Sequence, residues 1–470
     1  MTVAEFDANA RKAAATLSRR GIIAGDRVAL MAGNSPDLLA ATYGIWLLGA
    51  VEVAVNTELK GPLLHHVLRD SDPILILADN DMLARIGEAA PSLKAIELTE
   101  AFEVSAGVDE NELPAPEALA SLLYTSGTTG ASKGVMIPHA YFSYFAHTQG
   151  AVFGISATDT CYFTLPFFHI DAHIALPTCL RWGSSLAFNR RFSVRVFWEE
   201  FVRFEATWFG AIGSMLSALV SRGRPPQLAL DRLRLIVAAP VPQDAFDAFD
   251  TGWGIPVLQM YGQTEANGPL YSTVERNRHG AVGWPCAGFE IRVVGADGQD
   301  VGRGEAGELL TKPAEPNARA LGYWRRPEAT AAAFVDGWFH TGDVVRQDAE
   351  DFVWYLGRKT DSLRRRGENI SSFELEQVLA RAPGVTAVAA LGVRDQLGGE
   401  DEIKAVLTVD DSFDVDRFAE FSIGNLPRFA VPRYVEVVSE EQLVRGPGTG
   451  AIQKHLLPQG ITAATREIHL

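Results

Sequence analysis

Cysteine is scarce in this chain of 470 residues, where Cys161, Cys179 and Cys286 stand far apart. An odd, sparse set of this kind supports neither a disulfide framework nor a cysteine-based metal site. Long apolar runs are also absent, because none reaches the ~18 residues that a membrane-spanning helix needs. The N-terminal segment carries its acids before its bases and lacks the layout of a signal peptide. We therefore expect a reduced, cytoplasmic protein without a membrane partner.

Positive charge is the second deficit. The chain has 42 lysines and arginines against 58 aspartates and glutamates, which gives a formal net charge of −16. An acidic chain of this kind is repelled by nucleic acid and by anionic membranes, so we expect no nucleic-acid partner. Hydrophobic residues make up 47% of the sequence, enough for a large core, and the length favours two or more domains.

Helical and strand patterns alternate along the first part of the chain. Ala10, Ala13 and Leu17 recur at helical spacing, and residues 27–31 read as a short buried strand. Such alternation predicts a large α/β domain of layered sheets and helices. A glycine-punctuated β pattern over residues 281–310 adds a small subdomain resembling a β-barrel.

The best domain boundary follows the strand pattern of residues 352–356. Downstream of it the sequence shows an independent α+β pattern of the size of a small domain. The sequence therefore predicts an N-terminal domain at residues 1–360 and a C-terminal domain at residues 361–470.

A loop rich in hydroxyl groups and glycine follows the apolar run of residues 122–124. It reads Thr125-Ser126-Gly127-Thr128-Thr129-Gly130, and Lys133 comes shortly after it. Glycines let backbone N–H groups turn toward an anion, the hydroxyl groups add neutral donors, and the lysine adds positive charge. The spacing is not the Walker pattern, since no Ser or Thr follows the lysine. Composition leaves two interpretations open, a phosphate-binding loop and a mobile surface loop.

Two further motifs stand later in the chain, and the first of them follows an apolar strand pattern. The strand pattern of residues 256–260 ends in Tyr261-Gly262-Gln263-Thr264-Glu265, and residues 338–343 read Trp-Phe-His-Thr-Gly-Asp. In α/β folds, ligands bind at the carboxyl ends of strands. A carboxylate such as Glu265 suits Mg²⁺, which keeps waters and substrate phosphates as its other ligands. Read singly, Glu265 is also compatible with an acid beside a helix N-terminus, and Thr-Gly-Asp with an ordinary turn.

In this order, the three motifs resemble those of the adenylate-forming superfamily, which comprises acyl- and aryl-CoA synthetases, nonribosomal adenylation domains and luciferases. The resemblance covers most of the chain. It implies an acid–thiol ligase of the acyl-CoA synthetase type. It also implies that the small α+β C-terminal domain is mobile and rotates after the first half-reaction.

The resemblance implies roles for individual residues as well. Catalysis would involve Lys133, Thr264, Glu265, His169 and Gly367, with Glu265 as the metal ligand. The nucleotide would contact Thr125, Ser126, Gly127, Thr128, Thr129, Ala238, Ala239, Pro240, Gln259, Tyr261, Gly262, Asp343 and Arg358. The acyl pocket would be lined by Phe163, Phe167, Phe168, Trp208, Phe209, Gly210 and Gly213, and Asp361 would be the hinge.

His169 has a second possible interpretation, and Ala238 and Ala239 differ from the residues that most relatives carry. His169 closes the aromatic run of residues 162–169, which resembles the family's gate to the acyl pocket, and it is also compatible with a packing histidine. Ala238 and Ala239 stand where most relatives have a glycine-rich turn before the proline. We expect their methyl groups to approach the base and to alter the fit of the nucleotide.

The C-terminal loop departs from the family pattern Thr-Gly-Lys-Ile-x-Lys. It reads Thr449-Gly450-Ala451-Ile452-Gln453-Lys454, so Ala451 stands where relatives carry the lysine that bridges the acyl carboxylate and the α-phosphate. Either the chain naturally lacks this lysine or Ala451 is an engineered change. The neighbouring Arg445-Gly446-Pro447-Gly448 is also irregular, which favours a natural departure.

The expected reaction is therefore the second half of a ligase reaction, in which an acyl-adenylate and CoA give acyl-CoA and AMP. CoA and the AMP moiety are the expected cofactors, with ATP and Mg²⁺ if adenylation is retained. The partners would be a small carboxylic acid or its acyl-adenylate and a separate adenylating ligase. The pattern is faintly similar to the non-adenylating ligase type of platensimycin and platencin biosynthesis. A complete ATP-dependent synthetase is the alternative, and a carrier-loading adenylation domain and a non-catalytic acyl-adenylate sensor are lesser ones.

Overall fold

The computed structural model describes residues 1–104, 113–125, 132–295, 297–315, 317–358, 363–365, 368–370, 372–394, 401–443, 452, 454 and 457–468. The described residues fall into two compact units. The larger comprises Met1–Thr57, Leu68–Tyr124 and Gly134–Lys359, and the smaller comprises Glu58–Val67, Thr125–Lys133 and Thr360–Leu470.

The first two helices of the chain begin at residues that commonly start helices. Thr2 and Glu5 form a reciprocal capping box at the start of the first helix, and Pro36 opens the second. In chain order, the helices are α1 Val3–Arg19, α2 Pro36–Leu47, α3 Gly61–Ser71, α4 Asn80–Ala89, α5 His139–Val152, α6 Ile170–Trp182, α7 Phe197–Arg203, α8 Gly213–Ser221, α9 Gln227–Arg232, α10 Gln243–Phe246 and α11 Pro327–Ala333, with a 3₁₀-helix at Leu98–Phe102 and a π-helix at Asp247–Gly252.

Two seven-stranded sheets form the body of the larger unit. With strands numbered along the chain, the first sheet has the order β16-β6-β5-β2-β1-β3-β4, and the second has the order β13-β12-β11-β10-β9-β7-β8. The first contains β1 Arg27–Met31, β2 Val51–Ala54, β3 Leu75–Ala78, β4 Ala95–Glu97, β5 Leu119–Thr125, β6 Lys133–Pro138 and β16 Gly322–Tyr323. The second contains β7 Thr160–Phe163, β8 Ser185–Phe188, β9 Trp208–Ala211, β10 Leu235–Ala238, β11 Val257–Gln263, β12 Ala266–Tyr271 and β13 Trp284–Pro285.

The core of the larger unit lies on both faces of the second sheet. One buried cluster joins residues of α5 and α6 with strands of both sheets, so these helices pack between the sheets. A second cluster lies on the opposite face, where α7 and α8 cover β9 and β10. Helices packed on parallel strands in this way confirm the predicted layered α/β architecture.

The predicted β-rich segment forms a five-stranded antiparallel sheet. It has the order β14-β15-β18-β17, and β19 pairs with β18. The strands are β14 Phe289–Val294, β15 Ala306–Pro313, β17 Phe334–Val335, β18 Trp338–Gln347 and β19 Val353–Arg358. Because β18 contains the Thr-Gly-Asp motif, that motif is part of a strand and not an ordinary turn.

The smaller unit has a sheet of its own with the order β22-β23-β24-β25 and a two-stranded ribbon of β20 and β21. Leu375, Leu407 and Phe418 belong to its buried core. The described elements are β20 Leu363–Arg365, β21 Glu368–Ile370, α12 Ser372–Leu379, β22 Val385–Arg394, β23 Asp401–Val409, α13 Val415–Asn425, a 3₁₀-helix at Arg428–Ala430, β24 Tyr434–Val437 and β25 Arg466–Glu467. This is the predicted α+β pattern. In neither unit does a helix within the described residues have the length and apolar character to cross a membrane.

Candidate active site

Asp343 is the most tightly held carboxylate among the predicted site residues. Its side chain is buried in β18, and Oδ2 accepts hydrogen bonds from the Tyr261 hydroxyl at 2.6 Å and the Gln263 amide at 2.7 Å. Burial and the neighbouring Asp343 charge raise the pKa of Tyr261 well above its ordinary value, so this hydroxyl stays a donor. The carboxylate is thereby fixed in orientation and is suited to accept hydrogen bonds from sugar hydroxyl groups.

Strand register explains how these side chains meet. Tyr261 and Gln263 are two residues apart in β11 and therefore project from the same face of the strand. On the other side, the main chain of Asp343 pairs with that of Arg358, so the two residues predicted to contact one sugar lie opposite each other in the ladder. The Gln263 amide also donates to the Thr341 carbonyl at 3.0 Å, which ties the two motifs together.

Glu265 lies in the turn between β11 and β12. The strand continues through Gln263, so the expectation that it ends before Tyr261 is wrong, and no helix follows Glu265. The Glu265 carboxylate is buried, and its Oε1 accepts a hydrogen bond from the Tyr323 hydroxyl at 2.8 Å. Its carbonyl accepts from the Ala320 amide at 2.9 Å, which fixes the turn.

The turn is supported from a second side. The Tyr141 hydroxyl, on α5, donates to the carbonyl of Thr264 at 2.9 Å. Two separate segments, residues 320–323 and α5, thus hold Thr264 and Glu265 in place. Within the described ranges, no group of three or more His, Cys, Asp or Glu side chains could hold a metal ion by itself. A single carboxylate fits Mg²⁺ that takes its remaining ligands from substrate phosphates and water.

Ala238 lies at the end of β10. Its side chain is buried in the cluster that α7 and α8 cover, and β10 places it beside Ala211. The Ala238 methyl group therefore packs into the core, and its predicted effect on the fit of the nucleotide stays a prediction. Ala239 and Pro240 follow the strand and are half-buried, and Gln259 is buried in β11 opposite Ala238.

The aromatic residues predicted for the acyl pocket divide between two faces of the second sheet. Phe163, Phe167 and Trp208 belong to the cluster between the sheets, and the Phe163 ring covers Gly210, where an added Cβ would lie 3.7 Å from it. Phe209 points to the other face and packs on Phe197 at a ring distance of 5.0 Å. Alternation along β9 forces this separation, so Trp208 and Phe209 lie on opposite faces of the sheet, and the place of Phe209 in the acyl pocket stays a prediction.

The gate segment, residues 162–169, ends at the N-terminus of α6. His169 is the N-cap residue of α6, and its ring lies 4.6 Å from that of Phe168. Gly213 opens α8 and leaves no room for a side chain, because an added Cβ would lie 3.1 Å from the Pro240 carbonyl.

The phosphate loop is described only at its two ends. Thr125 closes β5 and Lys133 opens β6. The neighbouring Tyr124 hydroxyl donates to Asp70 at 2.8 Å, and Arg326 donates to the same carboxylate at 2.6 Å, so the strand before the loop is anchored. Ser126, Gly127, Thr128, Thr129, Asp361, Gly367 and Ala451 lie outside the described residues.

Sequence reasoning missed Gln263 and Tyr323 as supporting residues. Gln263 occupies the variable position of the Tyr-Gly-x-Thr-Glu motif. A predicted strand longer by three residues would have placed it on the same face as Tyr261. Tyr323 has no such local signal, since it is 58 positions away from Glu265.

Comparisons with known proteins agree with this architecture. Residues 1–324 match the family model described as AMP-binding enzyme. The chain is 31% identical over 486 residues to a long-chain-fatty-acid–CoA ligase of Mycobacterium tuberculosis, covering 98% of this chain and 93% of the relative. It is 28% identical over 487 residues to indoleacetate–CoA ligase of Aromatoleum aromaticum, covering 99% and 94%.

A solved structure is similar over nearly the whole chain. It is a double mutant of o-succinylbenzoate CoA synthetase from Bacillus subtilis bound to a product analogue, with a TM-score of 0.88, 28% identity and coverage of 97% of this chain and 93% of that one. The family takes ATP or AMP, acyl-adenylates and CoA as substrates. The fold, the matched motifs and these relatives together show that this chain belongs to the AMP-binding enzymes of the adenylate-forming superfamily and is an acyl-CoA ligase.

Proposed function

We propose that this ligase converts an acyl-adenylate and CoA to acyl-CoA and AMP, and that its adenylation half-reaction is impaired. Ala451 occupies the position of the adenylating lysine in the family pattern. A methyl group supplies no positive charge to the carboxylate and the α-phosphate. Loss of such a transition-state cation costs several kcal/mol, or roughly 10²–10³ in rate.

The observation that carries the proposal is the set of contacts made by Lys454, the lysine nearest to Ala451 along the chain. Its ammonium group lies 2.7 Å from Glu376 Oε1 and 2.7 Å from Ser372 Oγ, both on α12 of the same unit. Both side chains of this ion pair are largely buried, at 19% and 20% exposed. Lys454 is therefore committed within the smaller unit, which supports the view that it does not replace the missing lysine.

The proposed step is attack of the CoA sulfur on the carbonyl carbon of the mixed anhydride. A C–S bond forms, the bond from the carbonyl carbon to the phosphate oxygen breaks, and AMP leaves with that electron pair while the thiol loses its proton. Lys133 and Thr264 would stabilise the negative charge on the departing phosphate. Asp343 would hold the ribose, and Gly367 would line the path of the pantetheine arm.

Mg²⁺ would be needed only if adenylation is retained. Glu265 would hold it, together with substrate phosphates, and the metal would neutralise phosphate charge when ATP is bound. The described geometry around Glu265 fits this assignment, because the carboxylate is buried and oriented by Tyr323.

The acyl group is proposed to be bulky and mostly apolar. Support comes from the aromatic wall of Phe163, Phe167 and Trp208, which is buried between the sheets. Relatives bear the names of ligases for indoleacetate, ferulate and long-chain fatty acids. Their acids and adenylates form a suitable test panel. A separate adenylating ligase would supply the acyl-adenylate in the cell.

A complete ATP-dependent acyl-CoA synthetase is the second candidate. The observation in its favour is the support around Glu265, since a buried, oriented magnesium ligand serves ATP rather than a preformed adenylate.

Mass spectrometry of two reactions separates the candidates. The parental protein is incubated with acid, ATP and CoA, or with the matching acyl-adenylate and CoA. We expect acyl-CoA from the second mixture at ~1 s⁻¹ or faster, and little from the first.

Ala451→Lys should restore part of the ATP–pyrophosphate exchange and leave thioester formation from acyl-adenylate within about twofold. Gln453→Lys is the matched control, because it adds the same charge at a neighbouring position and should restore nothing. Equal rates for the two parental reactions would show that the lysine is dispensable and would refute the proposal.

A further inference from the structure

A charged pair is buried between the first sheet and α6, and neither of its members is a predicted substrate contact. Glu52, on β2, and His173, on α6, are 2% and 7% exposed. The Nε2 atom of His173 lies 2.9 Å and 3.1 Å from the two carboxylate oxygens of Glu52. Neither residue belongs to a motif that the sequence analysis singled out.

The surrounding donors fix where the protons are. Glu52 Oε1 accepts from the Thr42 hydroxyl at 3.0 Å, and Oε2 accepts from the Ser121 hydroxyl at 2.7 Å. Ser121 has its own hydroxyl hydrogen free for this bond because its oxygen accepts from the Trp46 indole N–H at 3.2 Å. With these donors converging on it, Glu52 is held as a carboxylate, and the shared proton stays on His173.

The second ring nitrogen of His173 completes the arrangement. Its Nδ1 lies 3.0 Å from the main-chain carbonyl of His169, which can only accept. Both ring nitrogens therefore face acceptors, and only an imidazolium donates from both. Burial lowers the pKa of His173, but the Glu52 charge and the hydrogen bonds to Glu52 and to His169 raise it above its ordinary value.

The other titratable groups around His173 do not reverse this balance. The nearby His169 ring opposes a second positive charge, yet the pKa of His173 remains raised. Tyr43 stays neutral, since burial raises its pKa and the Glu52 charge adds to that effect. For Glu52, burial raises the pKa, while the His173 charge and hydrogen bonds from His173, Ser121 and Thr42 bring it below its ordinary value.

Stability alone is a weak reason for such a pair. Burying two charges costs several kcal/mol of desolvation, and apolar residues of similar volume are often equally stabilising or better. An apolar pair, however, forms no directional hydrogen bonds. The carbonyl of the N-cap residue of α6 accepts from the backbone N–H groups of Ala172 and His173 at 3.2 and 3.4 Å, and His173 Nδ1 adds a shorter side-chain hydrogen bond at 3.0 Å. Phe142 stacks on the imidazole at a ring distance of 5.8 Å and holds it in this position.

We propose that Glu52 and His173 are positioning residues, which hold the main chain of His169 and with it the end of the gate segment in the geometry needed for thioester formation. This inference rests on the proposed gate role of residues 162–169. The pair acts on the gate segment through the first turn of α6, which contains His173 and begins directly after that segment. A gate displaced by about 1 Å would slow thiol attack by up to ~10²-fold.

The test compares a broken pair with a replaced pair. His173→Phe leaves Glu52 buried without its partner, whereas Glu52→Met/His173→Phe removes both charges and keeps the volume close to the original. The assay is thioester formation from whichever panel adenylate reacts fastest, with kcat and KM for CoA and for the adenylate, and Tm is measured in parallel. Asp159→Asn is the stability control, because Asp159 forms a partly buried ion pair with Arg234 outside every predicted contact with substrate.

The positioning role predicts that stability and activity separate. His173→Phe should lower both Tm and kcat, the latter about 10- to 100-fold, with the KM for acyl-adenylate within about threefold. The double variant should recover most of the Tm and keep the low kcat, since the His169 carbonyl loses its side-chain donor and keeps only the backbone N–H groups of Ala172 and His173. Asp159→Asn should lower Tm and leave kcat unchanged.

Two outcomes would overturn the inference. One is recovery of kcat together with Tm in the double variant, and the other is a kcat within twofold of the parental value in His173→Phe. If the parental protein forms thioester only from acid, ATP and CoA, the proposed function fails. The same variants are then compared in that reaction, so the inference is still decided.

Discussion

At the scale of single residues, the nucleotide side of the site depends on donors that orient carboxylates. Tyr261 and Gln263 both donate to Oδ2 of Asp343, and Tyr323 donates to Oε1 of Glu265. A buried carboxylate without such donors would lose its orientation or its charge. The motif carboxylates thus depend on Gln263 and Tyr323, which make no predicted contact with substrate, as well as on Tyr261, which does.

Tyr261→Phe tests this dependence. The change removes the hydroxyl and keeps the ring, so Asp343 loses one of its two described side-chain donors. A hydrogen bond to a charged group contributes about 1.5–3 kcal/mol. Because Gln263 remains, we expect the Kd for AMP to rise about tenfold in calorimetry.

Tyr144→Phe is the matched control. It also removes one hydroxyl, which donates to the Gly288 carbonyl at 3.0 Å, far from Asp343 in sequence and in no predicted site. The Kd for AMP should not change in this variant. Equal affinity in Tyr261→Phe and in the parental protein would argue against Asp343 as the ribose-binding carboxylate.

At the scale of elements, close backbone contact decides how the helices pack. Gly44 on α2 faces α1, where an added Cβ would lie 2.7 Å from the Ala13 methyl and 2.8 Å from the Ala10 carbonyl. The alanines on the buried face of α1 allow this approach. The same face also explains why the helical spacing of those alanines was a reliable signal in the sequence.

Gly44→Ala should therefore destabilise the protein by about 1–3 kcal/mol, because the contacting atoms include backbone that cannot move aside. Gly87→Ala is its control, since Gly87 lies in α4, is exposed and has open space around an added Cβ. That change should stabilise the protein by about 0.5–1 kcal/mol. Urea unfolding of both variants checks the prediction, and opposite signs are required.

The ion pair of Glu52 and His173 connects β2 with α6. Its contribution to the free energy of unfolding should decrease both at low pH and at high pH. The pKa of Glu52 lies below its ordinary 4.5, so its contribution is present above that pH and is lost as the pH falls through the folded-state pKa. The pKa of His173 lies above its ordinary 6.5, so its contribution is full below that pH and is lost as the pH rises through the folded-state pKa.

The Tm difference between the parental protein and Glu52→Met/His173→Phe should change accordingly. It should favour the parental protein most between about pH 4.5 and 6.5 and fall away on both sides. Calorimetric scans from pH 4 to 9 measure it. For Asp159→Asn, the Tm difference from the parental protein should fall only at low pH. Asp159 has a lowered pKa, and its partner is an arginine, which does not deprotonate in proteins. A difference that stays constant above pH 6.5 would mean that His173 does not titrate as described.

At the scale of the whole molecule, the chain consists of two compact units with separate cores. The family resemblance implies that the smaller unit rotates about Asp361 between the two half-reactions. Asp361 lies outside the described residues, so its role as the hinge stays a prediction.

Asp361→Pro would fix φ near −65° and restrict the hinge to one orientation. We expect thioester formation from acyl-adenylate to fall by orders of magnitude, while the Kd for acyl-adenylate stays near the parental value. Stopped-flow kinetics and calorimetry measure the two quantities separately. A parallel loss of both, with a lower Tm, would indicate misfolding and not a blocked rotation.

Much of the architecture could be predicted from the sequence, because the signals are local. Strand β1 spans residues 27–31 as predicted, the alanines predicted to be helical lie in α1, and the family is shown by motifs that are contiguous in the chain. Propensity, capping and periodicity depend on residues within a few positions of one another, so a single sequence carries them.

Only the tertiary structure decided which side chains meet. Glu52 and His173 are 121 positions apart, and Tyr323 reaches Glu265 across 58. The sequence did not separate Trp208 from Phe209 for a related reason, because a run of neighbouring aromatics does not say toward which face of the sheet each of them points. Such pairings depend on sheet order, on register and on the packing of α6 between two sheets, and these are set by the burial of the whole core rather than by any local pattern.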